Sequence, residues 1–154
     1  MAAAHLLVAA AACLSLLGLQ GEGKFMDPET ALDRIDPELK AHIKACEQEQ
    51  NVSIKHCHDE FKKKQYDVIP EDCKCFAYCV AKKAEVTDQD GKIIPLKLKQ
   101  KIDDIKDEKY KHCAQKLYED CKTAPRGEGG CSDTNNLVIC FALHARAHQD
   151  CRFE

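Results

Sequence analysis

The abundance of cysteine limits the possible folds of this chain more than any other feature of its sequence. Eleven cysteines occur in 154 residues, and three of them fall within the stretch CKCFAYC at residues 73–79. Cysteines at this density form disulfides, bind a metal or act as redox thiols, and the redox compartment largely decides between these roles. The fold therefore depends first on where the protein resides.

The N-terminal sequence indicates an oxidising compartment. Residues 6–19 carry no charge and are almost wholly apolar, but a membrane span needs about 20 residues. Length and position are typical of a secretory signal peptide. We predict a signal peptide over residues 1–23, with the cleaved bond left open, and one domain over residues 24–154. The protein is then secreted into the extracellular space, and Cys13 is removed with the signal peptide.

Ten cysteines remain after cleavage, and their even number favours five disulfides over metal ligands in an oxidising compartment. No CxxC pair of the kind found in zinc sites is present, so we predict neither a metal nor a cofactor. The 23 Lys and Arg nearly balance the 26 Asp and Glu, which argues against binding to nucleic acid or to an anionic membrane. No later apolar run is long enough to span a membrane.

Helical periodicity runs through nearly the whole domain, and the predicted fold class is all-α. Apolar residues three and four positions apart predict amphipathic helices, and no strand pattern or internal repeat accompanies them. We predict helices over residues 28–46, 51–66, 70–84, 96–105, 106–122 and 131–148. Pro37 kinks or divides the first helix, Ser132 or Asp133 caps the last, and Asp90-Gly91 marks a turn between two helices.

The cysteine spacing constrains how these helices are connected. Cys75 and Cys79 are four residues apart and therefore share one face of a helix, from which two disulfides can hold two other segments. Cys131 and Cys140 are nine apart and project from opposite sides of the last helix, at about 100° per residue. That helix has an apolar centre, LVICFAL, and we predict that it lies between two neighbours in the middle of the molecule.

Six of the cysteines follow the spacing of a known family. Intervals of 28, 3, 41, 9 and 8 residues separate Cys46, Cys75, Cys79, Cys121, Cys131 and Cys140. This pattern resembles the six-cysteine framework of the insect odorant-binding proteins, the pheromone- and general-odorant-binding family. The predicted signal peptide and the helical pattern agree with the resemblance, which covers the whole chain after the signal peptide.

The resemblance implies about six disulfide-linked helices around an internal apolar cavity. It also implies that the first framework cysteine pairs with the third, the second with the fifth and the fourth with the sixth. In this chain those pairs are Cys46–Cys79, Cys75–Cys131 and Cys121–Cys140. The four cysteines outside the framework allow three arrangements of two further bridges, and the sequence leaves the choice open: Cys57, Cys73, Cys113 and Cys151.

The function implied by the resemblance is that of a secreted, non-enzymatic carrier. It would bind, solubilise and transport small hydrophobic ligands such as odorants or pheromones, with a membrane receptor as a downstream partner. We expect apolar and aromatic side chains from four helices to line the ligand: Phe76, Val80, Leu96, Leu98, Ile102, Ile105, Tyr110, Leu117, Tyr118, Leu137, Val138, Phe141 and Leu143.

Other functions rest on weaker patterns. The alternative to a carrier is a disulfide-stabilised secreted effector that acts through its mixed-charge surface on a protein partner. The segment HCHDE at residues 56–60 is similar to the His-Asp pair of secreted phospholipase A2. The glycine-rich calcium loop and the double cysteine of that family are missing, so we predict no enzymatic activity.

Two further sequence features suggest modification and regulation. Asn51-Val52-Ser53 is an N-glycosylation sequon, which makes Asn51 a candidate glycan site. His144 follows the apolar centre of the last predicted helix, and histidine titrates near pH 6.5. We therefore consider the hypothesis that protonation loosens the cavity and releases the ligand.

Overall fold

Six α-helices form the part of the chain that the structure describes. The computed structural model describes residues 37–63, 66–124, 127–145, 147–148 and 151. The helices are α1 Pro37–Gln50, α2 Ile54–Lys62, α3 Glu71–Lys83, α4 Pro95–Asp103, α5 Glu108–Cys121 and α6 Gly130–Ala145. Across these residues the one extended pairing is an isolated antiparallel bridge between Thr87 and Ile93. The predicted all-α class is confirmed.

Local sequence signals explain several helix boundaries. Pro95 occupies the first turn of α4, where its missing N–H removes no helical hydrogen bond. Asp107 caps α5, because its Oδ1 accepts hydrogen bonds from the backbone N–H groups of Lys109 at 3.0 Å and Tyr110 at 3.1 Å. Helix α3 has acidic residues in its first turn and lysines in its last, which complements the helix dipole.

The first two predicted helices differ from the structure at their ends. The signal peptide at residues 1–23 and the beginning of the helix predicted over 28–46 lie outside the described residues. Helix α2 is shorter than the segment 51–66 because Asn51 has a φ of 50°, which ends regular helix before α2 begins. Ser53 then caps α2 through a 3.1 Å hydrogen bond from the His56 N–H to its Oγ.

Helix α6 also differs from its predicted bounds. It begins at Gly130 and ends at Ala145, whereas the predicted helix ran three residues further, to His148. The prediction that Ser132 or Asp133 caps the helix is wrong, since both residues lie inside it. Instead, the buried Asp133 carboxylate accepts hydrogen bonds from backbone groups outside the helix.

Helix α6 lies at the centre of the described helices, as the apolar segment LVICFAL predicts. It packs against α3 and α5, while α1 packs on α3 and α4 packs on α5. Val138, Phe141 and Ala142 are buried and belong to one core cluster that draws side chains from all six helices.

Five disulfides join the described elements, and three of them leave α3. The bridges are Cys46–Cys79, Cys57–Cys73, Cys75–Cys131, Cys113–Cys151 and Cys121–Cys140. Cys46–Cys79, Cys75–Cys131 and Cys121–Cys140 are the three pairs that the resemblance implies. The other two bridges give one of the three arrangements that the sequence left open for the remaining four cysteines. Through them α3 is linked to α1, α2 and α6, so CKCFAYC is a set of structural anchors. Helix α6 is held to α3 at one end and to α5 at the other.

Candidate ligand-binding site

Most of the side chains predicted to line a ligand meet in the interior. Ten of them are buried in the single core cluster: Phe76, Val80, Leu98, Ile102, Ile105, Tyr110, Leu117, Tyr118, Val138 and Phe141. Leu137 is partly buried and packs against this cluster. The interior between α3, α4, α5 and α6 is therefore largely apolar, and it includes the two tyrosines Tyr110 and Tyr118.

Two of the predicted lining residues lie at the surface instead. Leu96 is 71% exposed and Leu143 is 53% exposed. Each lies two residues from a buried side chain, Leu98 in α4 and Phe141 in α6, and side chains two apart on a helix do not face the same way. Neither leucine lines the interior. The prediction that these two side chains form part of the ligand wall is therefore wrong.

A groove lies at the surface between α4 and α5. It has a volume of about 200 Å³ and is lined by Lys99, Ile102, Asp103, Gln115, Tyr118 and Glu119. Two of these, Ile102 and Tyr118, belong to the predicted wall, and the other four are polar. Ligand pockets usually enclose about 300–1,000 Å³, so this groove is smaller than a typical ligand pocket.

An ion pair within α4 lies at the polar side of this groove. Lys99 Nζ lies 2.7 Å from Asp103 Oδ2, and Gln115 of α5 donates a 3.3 Å hydrogen bond to Asp103 Oδ1. The hydrogen bond from Lys99 lowers the pKa of Asp103, and the same contact raises the pKa of Lys99. Both groups are charged at neutral pH, and together with Gln115 they connect α4 to α5 across the groove.

Two histidines near the C-terminus share one carboxylate of α5. Asp120 Oδ2 lies 2.5 Å from His148 Nε2 and 3.5 Å from His144 Nδ1. Sequence reasoning singled out the histidines but missed Asp120, although the Cys121–Cys140 pair implied by the resemblance brings residue 120 close to His144. That bridge lies beside His144, but its sulfurs are oxidised and offer no thiolate to a metal. Release of ligand by histidine protonation stays a prediction.

Sequence reasoning also missed two buried polar side chains in α6. Thr134 and Asn135 are 2% and 6% exposed, and neither the Thr134 Oγ1 nor the Asn135 Oδ1 has a hydrogen-bond partner. The helical spacing could have indicated the burial of Thr134, since this residue precedes Val138 by four residues and Phe141 by seven. It therefore lies on the face that carries two of the predicted wall residues.

Comparison with known proteins identifies the family. The profile described as the PBP/GOBP family matches residues 29–144, which is most of the chain. The chain belongs to the PBP/GOBP family. This PBP/GOBP protein is thus a member of the insect odorant- and pheromone-binding proteins, a family of carriers, and its five bridges accommodate the cysteines beyond the six-cysteine framework. No curated protein and no solved structure matches it.

Among the described residues, no helix combines the length and the apolar character that crossing a bilayer requires.

Proposed function

We propose that this PBP/GOBP protein carries one small hydrophobic ligand, such as an odorant or a pheromone, among helices α3 to α6. The observation that carries the proposal is the burial of ten predicted wall residues in one apolar cluster. Binding follows from the removal of apolar ligand surface from water, which contributes roughly 0.8 kcal/mol per methylene group. The protein would solubilise, transport and release its ligand, and none of these functions requires a chemical step.

The α4–α5 groove supports a route for the ligand into this interior. Ile102 and Tyr118 connect the groove to the core cluster, and the Lys99–Asp103 ion pair lies at its polar side. Exposed ion pairs contribute little to stability and open readily. The groove is accordingly where we expect ligand to enter and leave.

Secretion is the second part of the proposal. We expect cleavage of residues 1–23 and a functional domain over residues 24–154, with a membrane receptor as the downstream partner. The five disulfides support this, because disulfides persist mainly in oxidising compartments. Asn51 lies exposed in the turn between α1 and α2, and it remains a predicted glycan site. N-terminal sequencing and the mass of the secreted protein test both points.

Displacement of a fluorescent apolar probe tests the carrier function. The oxidised protein should bind N-phenylnaphthylamine saturably, and long-chain alcohols or esters should displace it. Leu98→Ala, which truncates a buried side chain of α4, should change the affinity for the probe, whereas Leu96→Ala on the exposed side of the same helix should leave it unchanged. Oxidised, folded protein that binds neither probe nor ligands would instead favour the alternative function, a secreted effector acting through its surface.

A further inference from the structure

Two polar atoms near the beginning of α6 are buried without a hydrogen bond. They are the Thr134 hydroxyl oxygen and the Asn135 amide oxygen, and both residues are more than nine-tenths buried. Native proteins rarely leave buried polar atoms unpaired, because each has lost its hydrogen bonds to water without replacement. Each of these two atoms is therefore expected to have a hydrogen-bond partner.

The neighbouring carboxylate does not supply that partner. Asp133, also buried, accepts hydrogen bonds from the backbone N–H of Ile93 at 2.7 Å and from that of Gly127 at 3.1 Å. An ionised carboxylate only accepts hydrogen bonds, and this one is directed at the turn before α4 and the loop before α6. Thr134 and Asn135 are thus separate from the contacts that hold the start of α6.

Their position places them on the apolar inner side of the helix. On an α-helix, side chains three, four and seven residues apart lie on one face. Thr134 shares its face with Val138 and Phe141, and Asn135 lies three residues before Val138. Both Val138 and Phe141 belong to the buried cluster. The two unpaired atoms therefore lie at one end of the apolar surface that α6 contributes to the proposed site.

The chemistry of the two atoms selects one kind of ligand group. A threonine hydroxyl donates and accepts hydrogen bonds, whereas an amide oxygen only accepts. A ligand hydroxyl has both functions, since it can accept a hydrogen bond from Thr134 and donate one to Asn135. An ether or ester oxygen accepts from Thr134 but has nothing to donate to Asn135, and a hydrocarbon satisfies neither atom.

We infer that Thr134 and Asn135 bind the hydroxyl group of an apolar alcohol whose chain lies along Val138 and Phe141. The inference rests on the proposed carrier function and narrows its ligand class from hydrophobic molecules in general to alcohols. A trapped water molecule is the competing partner for the same atoms, and it confers no preference among ligands.

Isomeric ligands separate these two cases. Nonanol and methyl octyl ether have the same atoms, but only the alcohol donates a hydrogen bond, and decane provides the hydrocarbon reference. Each would displace N-phenylnaphthylamine from the oxidised protein. We expect the alcohol to bind about tenfold more tightly than the ether, which is the ratio that corresponds to one additional good hydrogen bond.

Two substitutions of similar shape should act differently on these affinities. Asn135→Leu removes the acceptor and should bring the affinities for alcohol and ether to within about twofold of each other. Thr134→Val removes the donor and should weaken alcohol and ether alike, while decane binds as before. Asn136→Leu in the same turn and Thr123→Val in the exposed turn after α5 are the matched controls, and both should retain the selectivity of the unmodified protein.

The outcomes distinguish this inference from the proposed function. Absence of probe binding, with no displacement by any ligand, contradicts the carrier function itself. Binding of all three ligands with the same alcohol-to-ether ratio in the unmodified protein and in Asn135→Leu overturns the inference alone and assigns the two atoms to a water molecule. If a variant loses its helical circular dichroism, the affinities of the unmodified protein for nonanol and methyl octyl ether still test the inference. Equal affinity for these two isomers overturns the inference without any variant.

Discussion

At the scale of single residues, a buried carboxylate connects two separate parts of the chain. Asp133 in α6 accepts hydrogen bonds from Ile93 in the turn before α4 and from Gly127 in the preceding loop. We expect Asp133→Asn to lower the free energy of unfolding by about 1–3 kcal/mol, because the amide replaces an acceptor oxygen with a donor. Urea denaturation measures the loss, and the exposed Asp90→Asn should change the midpoint little. Equal midpoints for both variants would contradict the assigned role.

The turn that Asp133 holds also requires glycine at one position. Gly91 has a φ of 77°, and a β-carbon there would lie 2.6 Å from the backbone nitrogen of Gly130. Gly91→Ala should therefore reduce stability by about 1–3 kcal/mol. Glu85 has a φ of 61° without being glycine, so Glu85→Gly should have the opposite sign. Thermal unfolding of the two variants should shift the midpoint in opposite directions, and a shift in the same direction would disprove this explanation.

The ion pair at the groove between α4 and α5 gives stability a pH dependence of known sign. The hydrogen bond from Lys99 lowers the pKa of Asp103 below its ordinary value of 3.8, so its contribution is present above that value and is lost as the pH falls through the lower folded pKa. The pKa of Lys99 is raised above its ordinary value of 10.5. The contribution of Lys99 to the free energy of unfolding is therefore present below pH 10.5 and is lost as the pH rises through the folded pKa.

The test of this pair compares Asp103→Asn with the unmodified protein at two pH values. At neutral pH the variant should be less stable by a small amount, since both side chains are largely exposed and the pair is screened. In acid below the lowered folded pKa of Asp103 the difference should disappear, because Asp103 is then protonated in both folded and unfolded states. A difference that persists in acid would assign the effect to something other than the charge of Asp103.

At the scale of elements, helix α3 shows what spacing predicts and what it leaves open. The four-residue step from Cys75 to Cys79 predicts two bridges from one face, and the structure joins them to α6 and α1. The partner of Cys73 did not follow from sequence, because it depends on how α2 packs against α3. The exposure of Leu96, by contrast, could have been predicted, because Leu96 lies two residues from the buried Leu98 and side chains two apart on a helix face different ways.

The two bridges outside the six-cysteine framework should differ in their contribution to stability. Cys113–Cys151 closes a sequence separation of 38 residues, and Cys57–Cys73 closes one of 16. In the chain-entropy model their removal costs about 4 and about 3 kcal/mol respectively. Guanidinium denaturation of the two double Cys→Ser variants should show the larger loss for the first pair, with helical content retained. The reverse order would indicate that native packing dominates over loop length.

At the scale of the whole molecule, the proposed ligand binding gives a reason for the dense cross-linking. An interior that admits a ligand packs less tightly when empty, and core-truncation data assign about 24 cal/mol to each Å³ of unfilled volume. Each disulfide contributes about 2–4 kcal/mol, mainly by restricting the unfolded chain. Helix α6, held to α3 and α5 by separate bridges, can then border the site without depending on dense packing for its position. This is the physical reason we assign to the ten paired cysteines.

Native mass spectrometry of the oxidised protein, exposed to nonanol and then desalted, tests whether the disulfide-linked helices hold a ligand. We predict one bound alcohol per chain and a protein mass ten hydrogens below that of the reduced chain, as five disulfides require. Reduction before exposure should abolish the bound species. A fully oxidised chain that retains no ligand, or a reduced chain that retains it equally well, would contradict the account.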